Sequence, residues 1–193
     1  MSMLQDRKLV RRLRQRDEEA FCELVRVYQH KVFNVIFRIL GDRAEAEDVA
    51  QEVFVAIFKY IDGFRGESKF STWVYRIATN HARNRLKYLS RRSYRDHQNF
   101  EDSHDSVKEN SPLSSTIDRP DELLLGKELE SVIQEGLATL SEIHRTILVL
   151  RDVEHLSYQE IAEIVELPEG TVKSRLFRAR VALKEYIVAR YDE

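Results

Sequence analysis

Cysteine is nearly absent: Cys22 stands alone among 193 residues, which excludes an internal disulfide and a multi-cysteine zinc site. Proline and glycine are scarce as well, three and six residues, so tight turns are few and hairpin-rich architectures are disfavoured. No stretch approaches the roughly 18–20 apolar residues that cross a bilayer, and Met1 to Arg16 is too polar for a secretory signal. A cytosolic protein with no membrane insertion is expected. His30, His81, His97, His104, His144 and His155 fall in no metal-ligand or triad spacing, and there is no HExxH, so neither catalysis nor a metal or other cofactor is expected. What is abundant is a mixture of 42% apolar and 33% charged residues, the composition of amphipathic helices. The fold class expected is all-α. Cys22 lies within an apolar helical run and is expected to be a small core residue.

The formal net charge of −2 hides a strongly uneven distribution. Between Arg65 and Arg95 stand Arg65, Lys69, Arg76, Arg83, Arg85, Lys87, Arg91, Arg92 and Arg95 against Glu67 alone, an electrostatic footprint for an acidic or nucleic-acid partner. From Asp96 to Glu122 the balance reverses. Eight acids face Lys108 and Arg119 in a segment rich in Ser and Asn, broken by Pro112 and Pro120 and poor in periodic apolar residues, which predicts a flexible acidic linker. Basic residues return in Lys173, Arg175, Arg178, Arg180 and Lys184. The chain therefore divides into 1–95, a linker over 96–122, and 123–193: two small helical domains and a tether.

In the first domain, Phe21, Leu24, Val25, Tyr28, Val32, Val35, Ile36 and Ile39 recur at steps of three and four, predicting one long helix capped by Asp17 and closed at Gly41. Ala46, Val49, Val53, Ile57 and Tyr60 predict a second, starting after Asp42 and stopping before Gly63. That helix carries Asp48, Gln51 and Glu52 off its apolar stripe, with Asp48 and Glu52 one turn apart. A docking surface for a basic partner, a solvated face and a divalent-cation site are the possible readings. No further acids complete a coordination shell. A basic loop, Gly63-Phe64-Arg65-Gly66, precedes a third helix from Phe70. Val74, Ile77 and Ala78 form its core stripe, while Trp73, Arg76, Asn80, Arg83, Asn84 and Lys87 form another that is cationic, aromatic and amide-bearing. Cations neutralise phosphates and exposed rings stack unpaired bases, so this stripe suits single-stranded nucleic acid. The plainer alternative has Phe70 and Trp73 filling the core beside a solvated basic face.

The second domain opens with two helices marked by Leu123, Leu124, Leu129, Val132, Ile133, Leu137 and Leu140, then Ile143, Ile147, Leu148 and Leu150. Ser157 and Glu160 form an S-x-x-E capping box with Leu156 and Ile161 as its staple. The helix that follows breaks at Leu167-Pro168-Glu169-Gly170, and another begins near Thr171, giving a helix-turn-helix. Val172, Leu176, Ala179 and Leu183 fall on one side of the last helix, and Lys173, Ser174, Phe177 and Arg178 on the other. Two cations, a hydroxyl and an aromatic ring suit a major groove.

Asp-Val-Ala-Gln-Glu-Val-Phe at 48–54, FRGESKFSTWVYRIATN at 64–80 and LSYQEIAEIVELPEGTVKSRLFRAR at 156–180, in this order and spacing, resemble a bacterial RNA polymerase sigma factor of the extracytoplasmic-function type. The resemblance implies that residues 1–95 bind polymerase core through Asp48, Gln51 and Glu52. It further implies that they melt the minus-ten element with Phe64, Arg65, Trp73, Tyr75, Arg76, Asn80 and Arg83. Residues 123–193 would read duplex minus-thirty-five DNA through Arg151, Lys173, Ser174, Phe177 and Arg178. Promoter DNA, polymerase core and an anti-sigma protein are the implied partners, a stress or envelope regulon the implied target. A stand-alone helix-turn-helix regulator is the alternative from another class. The acidic docking helix and the stripe suited to unpaired bases argue against it.

Overall fold

A computed structural model describes the backbone of residues 3–99 and 120–191 and the side chains of 6–92 and 128–190. Most of the acidic stretch expected to link the domains therefore lies outside the described residues. The elements are α1 (Met3–Arg14), α2 (Glu18–Leu40), α3 (Arg43–Tyr60), a 3-10 turn (Ile61–Gly63), α4 (Phe70–Asn99), α5 (Pro120–Thr139), α6 (Glu142–Leu148), a π-helical turn (Val149–Val153), α7 (Tyr158–Val165) and α8 (Glu169–Tyr191). No strand occurs among the described residues.

The first unit is built around α2, which packs on α1, α3 and α4. Asp17 accepts the Ala20 N–H at its start, and Gly41 closes it in the left-handed region at φ 80°, where a side chain would be strained. Asp42 caps α3 in the same way through the Glu45 N–H. Leu24, Val32, Ile36, Val53, Ile57 and Val74 are fully buried between these helices, each removing about 1.5–3 kcal/mol worth of apolar surface from water. Helix α1 was not legible in the polar opening of the chain, yet Leu9, Val10 and Leu13 share one face and are buried. Three expectations need correction. Cys22 is exposed, because at 100° per residue it sits about 200° around α2 from Leu24, on the far side from the core. Tyr60 and Leu129 are exposed too.

In the second unit the capping box forms as expected: Ser157 Oγ accepts the Glu160 N–H at 3.2 Å, and the Glu160 carboxylate accepts the Ser157 N–H at 2.8 Å. Leu156 and the fully buried Ile161 pack into the core beside it. Helix α7 ends at Glu166 in the left-handed region. Helix α8 starts two residues earlier than the sequence pattern indicates, because the Pro168 carbonyl accepts both the Thr171 and Val172 N–H groups. Val172, Leu176 and Ala179 are buried, as their spacing requires. Helix α5 crosses α8 at Gly136, where a Cβ would stand 2.6 Å from a Leu183 methyl and 2.8 Å from the Tyr186 ring. Any larger residue would have to displace both side chains.

The buried apolar residues of both units belong to one cluster. Arg145 on α6 is buried and donates through Nη1 to the Ile39 carbonyl at 2.5 Å and through Nη2 to Ala138 O at 2.7 Å. Gln134 Nε2 reaches the Arg38 carbonyl at 3.3 Å, and Arg38 pairs with Glu130 at 2.9 Å. The C-terminal end of α2, with its unpaired carbonyls and negative dipole end, is thus capped by donors from the other unit.

Candidate functional surfaces

The first surface lies on α3. Asp48, Gln51 and Glu52 are all exposed and line a shallow depression of about 600 Å³ with Val55, Tyr60 and His81. The two acids differ in their surroundings. Glu52 pairs with Arg85 at 2.7 Å and lies 3.6 Å from His81 Nδ1, while Asp48 has no ion pair among the described residues. Arg85 also binds Glu45, and that hydrogen bond, with the charges of both acids, raises its pKa above the ordinary guanidinium value despite partial burial. Val55 and Tyr60 are 64% and 57% exposed, an apolar supplement to the acids. Sequence periodicity gave no warning at Tyr60, which falls in phase with the stripe as the last residue of α3. Val55 falls between Val53 and Ile57 and so off the buried face.

The second surface is the Phe64 loop and the first half of α4. Arg65, Asn80, Asn84 and Lys87 are exposed, and Trp73, Arg76 and Arg83 are half-buried. Phe64 and Tyr75, expected as exposed platforms or melting residues, are 8% and 3% exposed. The cause is twofold. Phe64, Phe70 and Trp73 pack against one another with ring centroids 5.4–5.8 Å apart, which gives Phe70 the core role of the plainer alternative. The second unit then covers the helix: Tyr75 Oη donates to Glu154, Arg76 Nη2 donates to Glu163 O at 2.8 Å, and Arg83 pairs with Glu142. Lys69 pairs with Glu160 at 2.9 Å and Lys87 lies 3.9 Å from Glu142. Burial, then the bond to Glu154, pushes the Tyr75 phenol well above its ordinary pKa, so it is held as a donor. Burial also raises Glu160, but the bonds from Lys69 and Ser157 outweigh it and hold that carboxyl below its usual range. Glu142 of the second unit therefore engages Arg83 and Lys87 of α4, the Glu163 carbonyl holds Arg76, and Glu160 holds Lys69 just before the helix.

The third surface is the outer side of α8. Lys173, Ser174, Phe177 and Arg178 are exposed, Phe177 at 69%. Lys173 pairs with Glu169 one turn earlier at 2.6 Å and lies over the Tyr158 ring at 5.2 Å. Arg151, expected on the same face, is tied inward. Its Nη1 donates to the Leu156 carbonyl at 2.6 Å, and its guanidinium lies over Tyr158 at 4.8 Å. It braces the entry to α7 and shares the Tyr158 ring with Lys173. Among the described residues no group of three or more His, Cys, Asp and Glu side chains converges on a metal site, and no helix is long and apolar enough to cross a membrane.

A compact helical unit with an acidic helix and a basic helix, followed by a helix-turn-helix unit, is the arrangement of a transcription initiation factor carrying sigma regions 2 and 4. Residues 24–102 match the Sigma-70 region 2 family and residues 131–183 the Sigma-70, region 4 family. The RNA polymerase sigma-H factor of Pseudomonas aeruginosa is 41% identical over 179 residues, covering 93% of this chain and 92% of that one. The ECF RNA polymerase sigma-E factor of Haemophilus influenzae is 40% identical over 187 residues, covering 95% and 96%. The chain belongs to the extracytoplasmic-function family of RNA polymerase sigma factors, which direct polymerase core to promoters. Solved structures share its fold. CnrH, in complex with the cytosolic domain of CnrY, aligns over 95% of this chain and 97% of that one with a TM-score of 0.68 at 22% identity. The sigma factor RpoE of Bartonella quintana, in complex with the anti-sigma factor NepR, aligns over 86% and 96% with a TM-score of 0.62 at 23% identity.

Proposed function

We propose that the chain performs promoter-specific initiation through the three surfaces described, as a binding factor without turnover of its own. Asp48 and Gln51, with Glu52 and the neighbouring Val55 and Tyr60, dock on a surface of polymerase core that is basic at one edge and apolar at the other. Arg65, Trp73, Arg76, Asn80 and Arg83 engage the melted minus-ten strand, with Tyr75 joining when the second unit moves off α4 and Phe64 when its packing on Phe70 and Trp73 gives way. Lys173, Ser174, Phe177 and Arg178 read the minus-thirty-five duplex, and Arg151 supports that reading from behind by fixing the loop before α7. One observation carries this reading: α8 exposes four DNA-competent groups on one side and keeps Val172, Leu176 and Ala179 buried on the other. Such a helix can enter a groove without disturbing its own core.

An anti-sigma protein is the regulator that we expect, since the Bartonella quintana relative was solved with one and exposed Val55, Tyr60 and Phe177 would be covered in such a complex. Run-off transcription tests the central claim. Purified core with saturating chain should initiate at discrete sites, and transcripts identical to the random products of core alone would refute it.

A further inference from the structure

Helix α1 has no part in the surfaces above, yet it carries a stripe of cations. Arg7, Arg11 and Arg14 are exposed and recur at i, i+4 and i+7, so they fall within about 60° on one side of the helix. Leu9, Val10 and Leu13 hold the helix from behind. The stripe forms one wall of a cleft of about 310 Å³ whose opposite wall is the Phe64–Phe70 loop with Arg65 and Lys69. Five cations and one acid, Asp6, line it. Lys69 is paired with Glu160, whereas Arg7, Arg11 and Arg65 have no carboxylate within ion-pair distance among the described residues. Arg14 donates to the Phe64 carbonyl and so ties α1 to the loop itself. On the same helix Arg12, by contrast, is compensated, by Asp17 at 2.8 Å and Glu23 at 3.0 Å. Arg16, just beyond its end, pairs with Asp62 at 2.6 Å.

Unpaired guanidinium groups facing one another across a cleft repel, and they persist where a polyanion neutralises them. From Arg7 to Arg14 the helix advances about 10 Å, more than one phosphate step of an extended strand. We propose that the α1 stripe, Arg7 and Arg11 with Arg65 opposite, binds the sugar-phosphate backbone of the unpaired promoter strand where it passes the Phe64 loop, extending the nucleic-acid track beyond α4. The inference rests on the assignment of that loop to the melted strand. Its role is positional and sequence-independent, because phosphates carry no base identity.

The test uses polymerase core loaded with the full chain and a fluorescent single strand carrying the minus-ten element flanked by thymidines, titrated at several salt concentrations. Each phosphate contact on a single strand contributes about 0.7 to the slope of log K against log salt, so Arg7→Gln, Arg11→Gln should lower the slope by about 1.4. Arg7→Lys, Arg11→Lys should restore it, since a point charge suffices for a phosphate. Core affinity and melting temperature of the glutamine variant should match the parent. An unchanged slope overturns the inference, and so does a loss of core affinity, which would assign the stripe to polymerase. If the parent holoenzyme does not prefer the minus-ten strand to a scrambled one, the assignment of the loop itself falls and this inference with it.

Discussion

Removing the Glu154 carboxylate should open the molecule. Glu154 accepts the hydroxyl hydrogen of Tyr75, which is 3% exposed, across the boundary between α4 and the loop leading to α7. A hydrogen bond to a charged partner contributes about 1.5–3 kcal/mol, and its loss here would leave a buried hydroxyl without an acceptor. The Lys69–Glu160 pair, screened by water on its lysine side, adds little to the same boundary. Glu154→Ala should therefore shift the closed-to-open equilibrium by about 10- to 150-fold. Under the proposed assignment of Tyr75 and Arg76 to the minus-ten strand, their contact needs the open form, so the apparent affinity of the free chain for a labelled minus-ten single strand should rise by the same factor, until the open form predominates. Fluorescence anisotropy measures this directly. Glu185→Ala, an equal change of charge at an exposed α8 position, corrects for the general gain in DNA attraction. If Glu154→Ala binds the strand no more tightly than Glu185→Ala does, the α4 boundary is not what limits access.

Asp48→Lys should weaken core binding by about 2–5 kcal/mol in a holoenzyme titration, because Asp48 has no ion pair among the described residues to buffer the change. Normal affinity would return Asp48 to a solvated face. Arg178→Ala should cost about 1–3 kcal/mol on minus-thirty-five duplex and relax the preference at one base pair, read on a panel of single-base variants. Arg151→Ala should instead lower the melting temperature of the region 4 unit, since it removes the brace on Leu156 O and Tyr158. Burial, assisted by Arg175 and Arg178, holds His144 below its ordinary 6.5. Its neutral form is the folded one, so the contribution to stability is full above about pH 6.5 and lost as pH falls through the depressed folded value. Melting temperature should fall on acidification through that window, and His144→Gln should flatten the dependence.

The local features of this protein were legible because they are set within one turn of helix. Asp17, Gly41 and Asp42 cap the helices that their positions indicate, Ser157 and Glu160 form their box, and the stripe of Val172, Leu176 and Ala179 is buried with Lys173, Ser174, Phe177 and Arg178 outside it. Capping and amphipathicity depend on residues three or four apart, and the sequence displays those distances directly. What lay beyond it was decided by residues far apart in the chain. Tyr75 and Glu154 are separated by 79 positions, Arg76 and Glu163 by 87, and Arg145 and Ile39 by 106. No periodicity encodes such pairings. The α4 stripe reads as exposed from its own spacing because spacing says which residues share a face, and only the packing of α7 against α4 determines that half of that face is covered. Arg151 is a case in one side chain: the spacing that set it beside the helix-turn-helix carried no sign of the Leu156 carbonyl that its guanidinium bonds or of the Tyr158 ring that it covers.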